Sequence, residues 1–162
     1  LNPTEVGSTW PLWRLRDEQT QSCGFGEHYG LDAFLGTPTF VVLLADWCGF
    51  CRSQSVNLQQ IKTELLDAGY DIDFVIINGG GGDNPGEFVS RTDFPVFQSE
   101  TSVNGWALHG GAKDHMYLYG SQGLLANYLT PGTDDIVLST PSGYQNVKNA
   151  ILNLLAGDGQ TP

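Results

Sequence analysis

The chain has 162 residues, 40% hydrophobic and 11% aromatic, enough apolar side chain for the core of one domain. Seven Lys and Arg stand against 18 Asp and Glu, a formal net charge of −11. No basic face can therefore neutralise a row of phosphates or dock on anionic lipid, and the longest apolar run, 40–45, is too short to cross a bilayer.

In chain order, Trp13 and Leu15 alternate with Arg14 and Arg16, which predicts a short half-buried strand. Residues 23–36 are glycine-rich and read as loop. Thr39 to Leu44 is unbroken β-branched and apolar sequence, a central strand buried on both faces. Leu58, Ile61, Leu65 and Ala68 share one face of a helix from about Cys51 to Ala68, closed by Gly69. Asp73 to Ile77 is a second buried strand, and Gly79–Gly82 a flexible connector lacking the lysine of a phosphate loop. A short helix over Glu87–Arg91 and a proline-led strand, Phe94–Phe97, follow. Met116–Tyr119 and Leu124–Leu129 form a hairpin across Ser121–Gly123. Thr140-Pro141 is an N-cap followed by an N1 proline, opening a helix with Val147, Ile151, Leu154 and Leu155 on one stripe. Residues 1–162 are expected to form one domain, with 1–12 and 157–162 as flexible ends. A strand–helix–strand crossover of this length implies a parallel pair, and the hairpin adds antiparallel strands. The expected architecture is α/β and thioredoxin-like: a central mixed sheet flanked by helices on both faces.

Three cysteines do not make a disulfide-scaffolded mini-protein. Cys48 and Cys51 form a Cys-x-x-Cys pair; zinc would need a second pair, and a c-type haem would need His where Arg52 stands. What remains is a redox dithiol at the point where a buried strand ends and a helix begins. Unpaired N–H groups and the positive end of the helix dipole favour a thiolate there. Cys48, at the helix entrance, is the expected nucleophile, and Cys51, a turn away, the resolving thiol. Gly49 keeps the turn tight and the sulfur approachable. Trp47 offers an aromatic shelf, while Asp46 opposes the thiolate by its charge. Cys23 is expected to be a buried inert thiol or an intermolecular bridge, in a monomer or a dimer, with a third redox thiol as the remaining alternative. Pro95 is expected to be a cis-proline passing beside the dithiol, so that Phe94 and Pro95 pair with an extended substrate segment by strand addition. Trp47, Gly49, Phe50, Phe94 and Pro95 are thus the expected substrate-binding residues.

Ala45-Asp46-Trp47-Cys48-Gly49-Phe50-Cys51 resembles the thioredoxin active-site box, with Phe50 where thioredoxins carry proline. Thioredoxins also carry a buried acid six residues before the first cysteine; Val42 stands there, so the acid's proton-shuttling role is absent or reassigned. A longer similarity, over roughly residues 13–155, is to the amino-terminal domain of selenoprotein P. It is carried by Trp13-Arg14-Leu15-Arg16-Asp17, Ala68-Gly69-Tyr70, Phe74–Asn78, Phe94–Gln98 and the stretch from Gly110 to Tyr119. Where that family has selenocysteine this chain has Cys48. The resemblance implies a secreted thioredoxin-fold thiol–disulfide oxidoreductase acting on protein or small-molecule thiols and disulfides, with thiol peroxidase activity as a variant on the same residues. A start at Leu1 predicts a removed leader and a secreted or periplasmic setting.

No cofactor is required beyond the Cys48–Cys51 pair. A binding or carrier module for metal or haem is the alternative. His28, His109 and His115 are its only candidate ligands of their type, and their spacing carries no ligand pattern. His28 or His115 could instead stabilise the thiolate.

Overall fold

The computed structural model describes residues 1–162. Seven strands form one sheet: β1 (Leu15–Asp17), β2 (His28–Tyr29), β3 (Thr39–Leu44), β4 (Asp73–Asn78), β5 (Val96–Gln98), β6 (Met116–Tyr119) and β7 (Leu125–Leu129). Their spatial order is β2-β1-β5-β4-β3-β6-β7. The three central strands β3, β4 and β5 are parallel, and every outer pairing is antiparallel. The helices are α1 (Gly49–Asp67), α2 (Gly86–Val89), α3 (Gly105–Leu108) and α4 (Pro141–Gly157). This is the thioredoxin-like arrangement expected from the order of elements.

All six residues of β3 are buried, as an apolar run in the middle of a sheet must be. Its alternation divides the core in two. Phe40, Val42 and Leu44 join α1 and α4 through Leu58, Ile61, Leu65, Val147, Ile151 and Leu155. Val41 and Leu43 face the other way, toward Trp10, Trp13, Leu15, Leu31, Tyr117 and Tyr119. The helices are therefore unequally shared. Both long helices lie on one face, and the second is covered by the Trp-bearing amino-terminal segment, a 3-10 turn at Leu31–Phe34 and the short α3, whose Gly105 abuts Leu15 and Ile77. Two tryptophans and two tyrosines supply the apolar area that another long helix would otherwise bring.

Residues 7–10, expected within a flexible end, are packed: Gly7 N–H donates to the Leu125 carbonyl, Thr9 bridges Leu124, and Trp10 is buried against Tyr119. At the other end, Gln160 makes two hydrogen bonds to the backbone of Asp71.

Pro95 departs from expectation in two ways. No peptide bond in the chain is cis, so the Phe94–Pro95 bond is trans, the form X-Pro bonds favour by about 0.5–1 kcal/mol. Nor does it lead a strand beside the dithiol. β5 lies inside the sheet, between β4 and β1, and the Phe94 carbonyl is taken by the Gln19 amide at 3.1 Å. There is no free edge here to which a substrate strand could add.

Candidate active site

Cys48 is the N-cap of α1, in extended conformation (φ −97°, ψ 116°), and its Sγ accepts the Cys51 amide proton at 3.2 Å. The sulfur thus occupies the position at which an N-cap oxygen normally satisfies a free helix donor. Cys48 is 9% exposed and Cys51 fully buried, so a substrate meets Cys48 first. Around it, Trp47 (58% exposed), Phe50 (38%) and Gly49 form the accessible rim. Trp47 Nε1 donates to the Gly80 carbonyl at 3.0 Å, and a Cβ on Gly79 or Gly80 would run into the Trp106 ring. The glycine stretch is therefore not a slack connector but a wall of the site that is packed at Gly79, Gly80 and Gly82, where side chains would not fit, and open only at Gly81.

That wall is held by a polar network. Asn78 Oδ1 accepts from the Asp46 amide at 3.0 Å, and its Nδ2 donates to Asp46 Oδ2 and Gln98 Oε1, both at 2.8 Å. The Asn84 amide donates to the same Asp46 oxygen, and Gln98 Nε2 donates to the Gly82 carbonyl. Asp46 is thereby turned toward the loop, not the dithiol. Arg52 closes the arrangement by donating to the Asp46 carbonyl at 2.7 Å.

The groups that reach the sulfurs come from an unexpected place. β6 runs antiparallel to β3 with Val42 opposite Met116, and two further hydrogen bonds continue the ladder: Leu43 N–H to the His115 carbonyl, and Asp114 N–H to the Leu43 carbonyl at 2.7 Å. The residues leading into β6 therefore stand where β3 ends, beside the dithiol. Asp114 is 4% exposed and has φ 73°, the only positive φ outside glycine, in a region Asp tolerates better than most residues. Its Oδ1 accepts from Cys51 Sγ at 3.2 Å and its Oδ2 from Lys113 Nζ at 2.8 Å. Lys113 Nζ also sits 6.0 Å above the Phe50 ring. In the sequence, Gly110–Asp114 stands out only as part of a stretch similar to another family. The signal available was a charged pair immediately before a buried strand, with Asp114, Met116 and Leu118 in period-two alternation.

These contacts set the two thiols apart. Burial pushes Cys48 up, but hydrogen bonds from the Cys51 thiol and amide, with the Lys113 ammonium, outweigh it and carry Cys48 below the ordinary thiol range; the Asp114 charge opposes them. Cys51 is driven well above that range, first by burial, then by its contact with Cys48 and by Asp114, against a lowering backbone hydrogen bond from Ala45. The site therefore separates a more acidic thiol at the helix entrance from a buried one that holds its proton more tightly.

The remaining expectations are resolved by distance along the sheet. Ile76 pairs with Val96, which sets Pro95 level with Val75, whereas Cys48 lies beyond the opposite, carboxyl ends of the parallel strands. With β4 intervening, β5 is also ~10 Å to the side of β3. Phe94 and Pro95 instead line a cavity of about 600 Å³ with Cys23, Tyr29, Phe34 and Lys62. The structure therefore brings Trp47, Gly49 and Phe50 to the dithiol and leaves Phe94 and Pro95 away from it. The three histidines stand apart. His28 pairs with Glu100 at 3.0 Å; His115 Nδ1 receives the Tyr128 hydroxyl at 2.6 Å; His109, fully buried, joins Trp13 and Tyr119. No group of three His, Cys, Asp or Glu side chains is arranged to hold a metal ion.

No protein-family model matches the chain, and no curated protein does. Solved structures do. The thioredoxin domain of a thiol-disulfide oxidoreductase from Bacteroides vulgatus is 14% identical with a TM-score of 0.66, over 91% of this chain and 98% of that one. A thiol:disulfide interchange protein from Bacteroides sp. is 14% identical with a TM-score of 0.66, over 96% and 93%. A secreted Mycobacterium tuberculosis disulfide oxidoreductase, described as homologous to E. coli DsbE, is 16% identical with a TM-score of 0.59, over 92% and 96%. These likenesses establish a thioredoxin-like fold across nearly the whole chain.

Proposed function

We propose that this protein is a thiol–disulfide oxidoreductase that exchanges disulfides through Cys48 and Cys51. One observation carries the reading: Cys48 Sγ caps α1 and is held below the ordinary thiol range, while Cys51, one turn on, is held above it. Cys48 thiolate attacks a substrate disulfide, and Cys51 displaces the substrate sulfur, leaving a Cys48–Cys51 disulfide and a reduced substrate; from the oxidised enzyme the same steps run in reverse. Trp47, Gly49 and Phe50 are the docking surface, an exposed apolar rim suited to an unfolded or extended chain carrying cysteine. The dithiol needs no further cofactor. The names of the structural neighbours agree with this chemistry, and the secreted one from Mycobacterium tuberculosis, described as homologous to DsbE, favours a periplasmic or secreted setting. The finer resemblance, to the selenoprotein P amino-terminal domain with sulfur replacing selenium, rests on the quoted sequence segments alone, since no family model and no curated protein matches.

Insulin reduction driven by dithiothreitol tests it. Wild type is expected to precipitate the insulin B chain well ahead of the uncatalysed reaction, and Cys48→Ser to match the blank. Wild type at the blank rate would overturn the proposal.

A further inference from the structure

Val42 occupies the strand position at which the thioredoxin resemblance leads one to look for a buried acid, so the proton of the buried resolving thiol has no acceptor there. An acceptor is nevertheless present, on another element. Asp114 Oδ1 lies 3.2 Å from Cys51 Sγ, in a carboxylate that is itself almost wholly buried and whose second oxygen is held by Lys113. We propose that Asp114 is the catalytic acid–base for Cys51, taking its proton when Cys51 attacks and returning it when Cys51 leaves.

One proton has two acceptors. In the reduced enzyme the Cys51 thiol faces both the Cys48 sulfur and Asp114 Oδ1. Once Cys48 has bonded to a substrate sulfur, Cys48 no longer carries the negative charge that draws this proton. Asp114 is then the one anionic partner the thiol retains. The other charged groups nearby are engaged elsewhere. Asp46 is bound by Asn78 and Asn84, the Arg52 guanidinium donates to the Asp46 carbonyl, and His115 Nδ1 is occupied by Tyr128 and the Ala112 amide. Lys113 holds the carboxylate from its open side and offsets part of the field that the buried anion sets against Cys48. The left-handed backbone at Asp114, pinned by its 2.7 Å hydrogen bond to Leu43, is a local cost of the kind that gathers at functional positions.

The step balances. Cys48 thiolate attacks the substrate disulfide, forming a Cys48–substrate bond; the first substrate thiolate leaves and is protonated by water. The Cys51 proton then passes to Asp114 while the Cys51 sulfur attacks Cys48 Sγ. The Cys48–Cys51 bond forms, the Cys48–substrate bond breaks, and the second substrate thiolate leaves with its electron pair, taking up the proton from Asp114. The dithiol is oxidised by two electrons and the substrate disulfide reduced by the same two.

This inference rests on the proposed redox role of Cys48, and the test separates the two. Reduced full-length protein is mixed with 5,5′-dithiobis(2-nitrobenzoate) in stopped flow. The first coloured thiolate reports attack by Cys48 and the second reports resolution by Cys51; a Cys23→Ser background keeps the third thiol silent. Asp114→Asn retains a residue that accepts positive φ. It is expected to leave the first phase within threefold and slow the second about 100-fold, within the range for loss of a general base. The slowed phase should rise about tenfold per pH unit as hydroxide replaces the carboxylate. Asp114→Glu, which keeps a carboxylate, should hold the second phase within tenfold of wild type, and it decides the matter alone if Asp114→Asn fails to fold. A second phase unchanged in rate and pH profile by Asp114→Asn overturns the inference while leaving the oxidoreductase reading intact, and so does a loss in Asp114→Glu as deep as the 100-fold expected of Asp114→Asn. Absence of the first phase in the Cys23→Ser parent overturns both.

Discussion

The chain places cysteine beside both ends of its parallel strands, and the two ends are built differently. At the carboxyl end, Cys48 Sγ takes the Cys51 amide in the first turn of a 19-residue helix, an ammonium stands beside it, and a second thiol lies one turn away. At the amino end, Cys23 is not buried, as one expectation had it, but exposed on the wall of a roomy cavity, and the nearby Lys62 is spent on Asp93 at 2.5 Å. Exposure alone would favour Cys23 as the reactive thiol; helix capping and charge favour Cys48. Reactivity follows the thiolate, so the proposed exchange is assigned to the less accessible sulfur.

The sharpest way to break this contrast is to remove each thiol in turn. Cys48→Ser should abolish insulin reduction, whereas Cys23→Ser should leave it within twofold; the opposite pattern would move the chemistry to the other end of the sheet. Cys51→Ser should stall exchange after the first step, so that Cys48 accumulates as a mixed disulfide visible by intact mass; an unmodified Cys48 would contradict the resolving role.

How far this contrast was legible in the sequence depends on the range of the interactions involved. The Cys48–Cys51 pair at a helix entrance is local: a buried strand, a capping position and an apolar stripe lie within thirty residues of chain, and α1 begins only two residues before the predicted start. Pro95 was misplaced because its role depended on which strand it led. The strand itself was correctly foreseen, but its neighbours in the sheet are chosen by packing, and β5 joined β4 and β1 while β6 took the place beside β3. Asp114 was missed for the same reason, since sixty-three residues separate it from Cys51 and only the β3–β6 register unites them. β2, the 3-10 turn and α3 are too short to carry a periodic signal.

The face of the sheet opposite α1 contributes stability rather than sulfur chemistry, and acid should expose this. His109 Nε2 accepts from Trp13 Nε1 at 3.1 Å, which places the proton of a neutral imidazole on Nδ1, donating to the Tyr119 hydroxyl. Burial pushes this histidine down to about 3 from 6.5. Between those values the unfolded chain binds a proton the native state does not, so stability is complete above pH 6.5 and falls as pH drops toward 3, by up to about 1.4 kcal/mol per pH unit. His109→Gln should flatten this slope in urea unfolding; an unchanged slope would contradict the assignment.

Smaller effects sharpen the picture further. Lys113→Met removes a charge that lowers Cys48, so alkylation at neutral pH should slow about threefold, and added salt should shrink the difference. Pro95→Ala should leave insulin reduction within twofold, because Pro95 lies on the Cys23 side of the sheet. A large loss there would restore the expected proline to the active site.

The acidity of Cys48 itself is the most direct test. The rate of iodoacetamide labelling of reduced protein, followed across pH by peptide mass, should give Cys48 a midpoint clearly below the ordinary free-thiol value of about 8.5. A midpoint at or above that value would mean that the end of α1 does not hold a thiolate, and the assigned chemistry would fall with it.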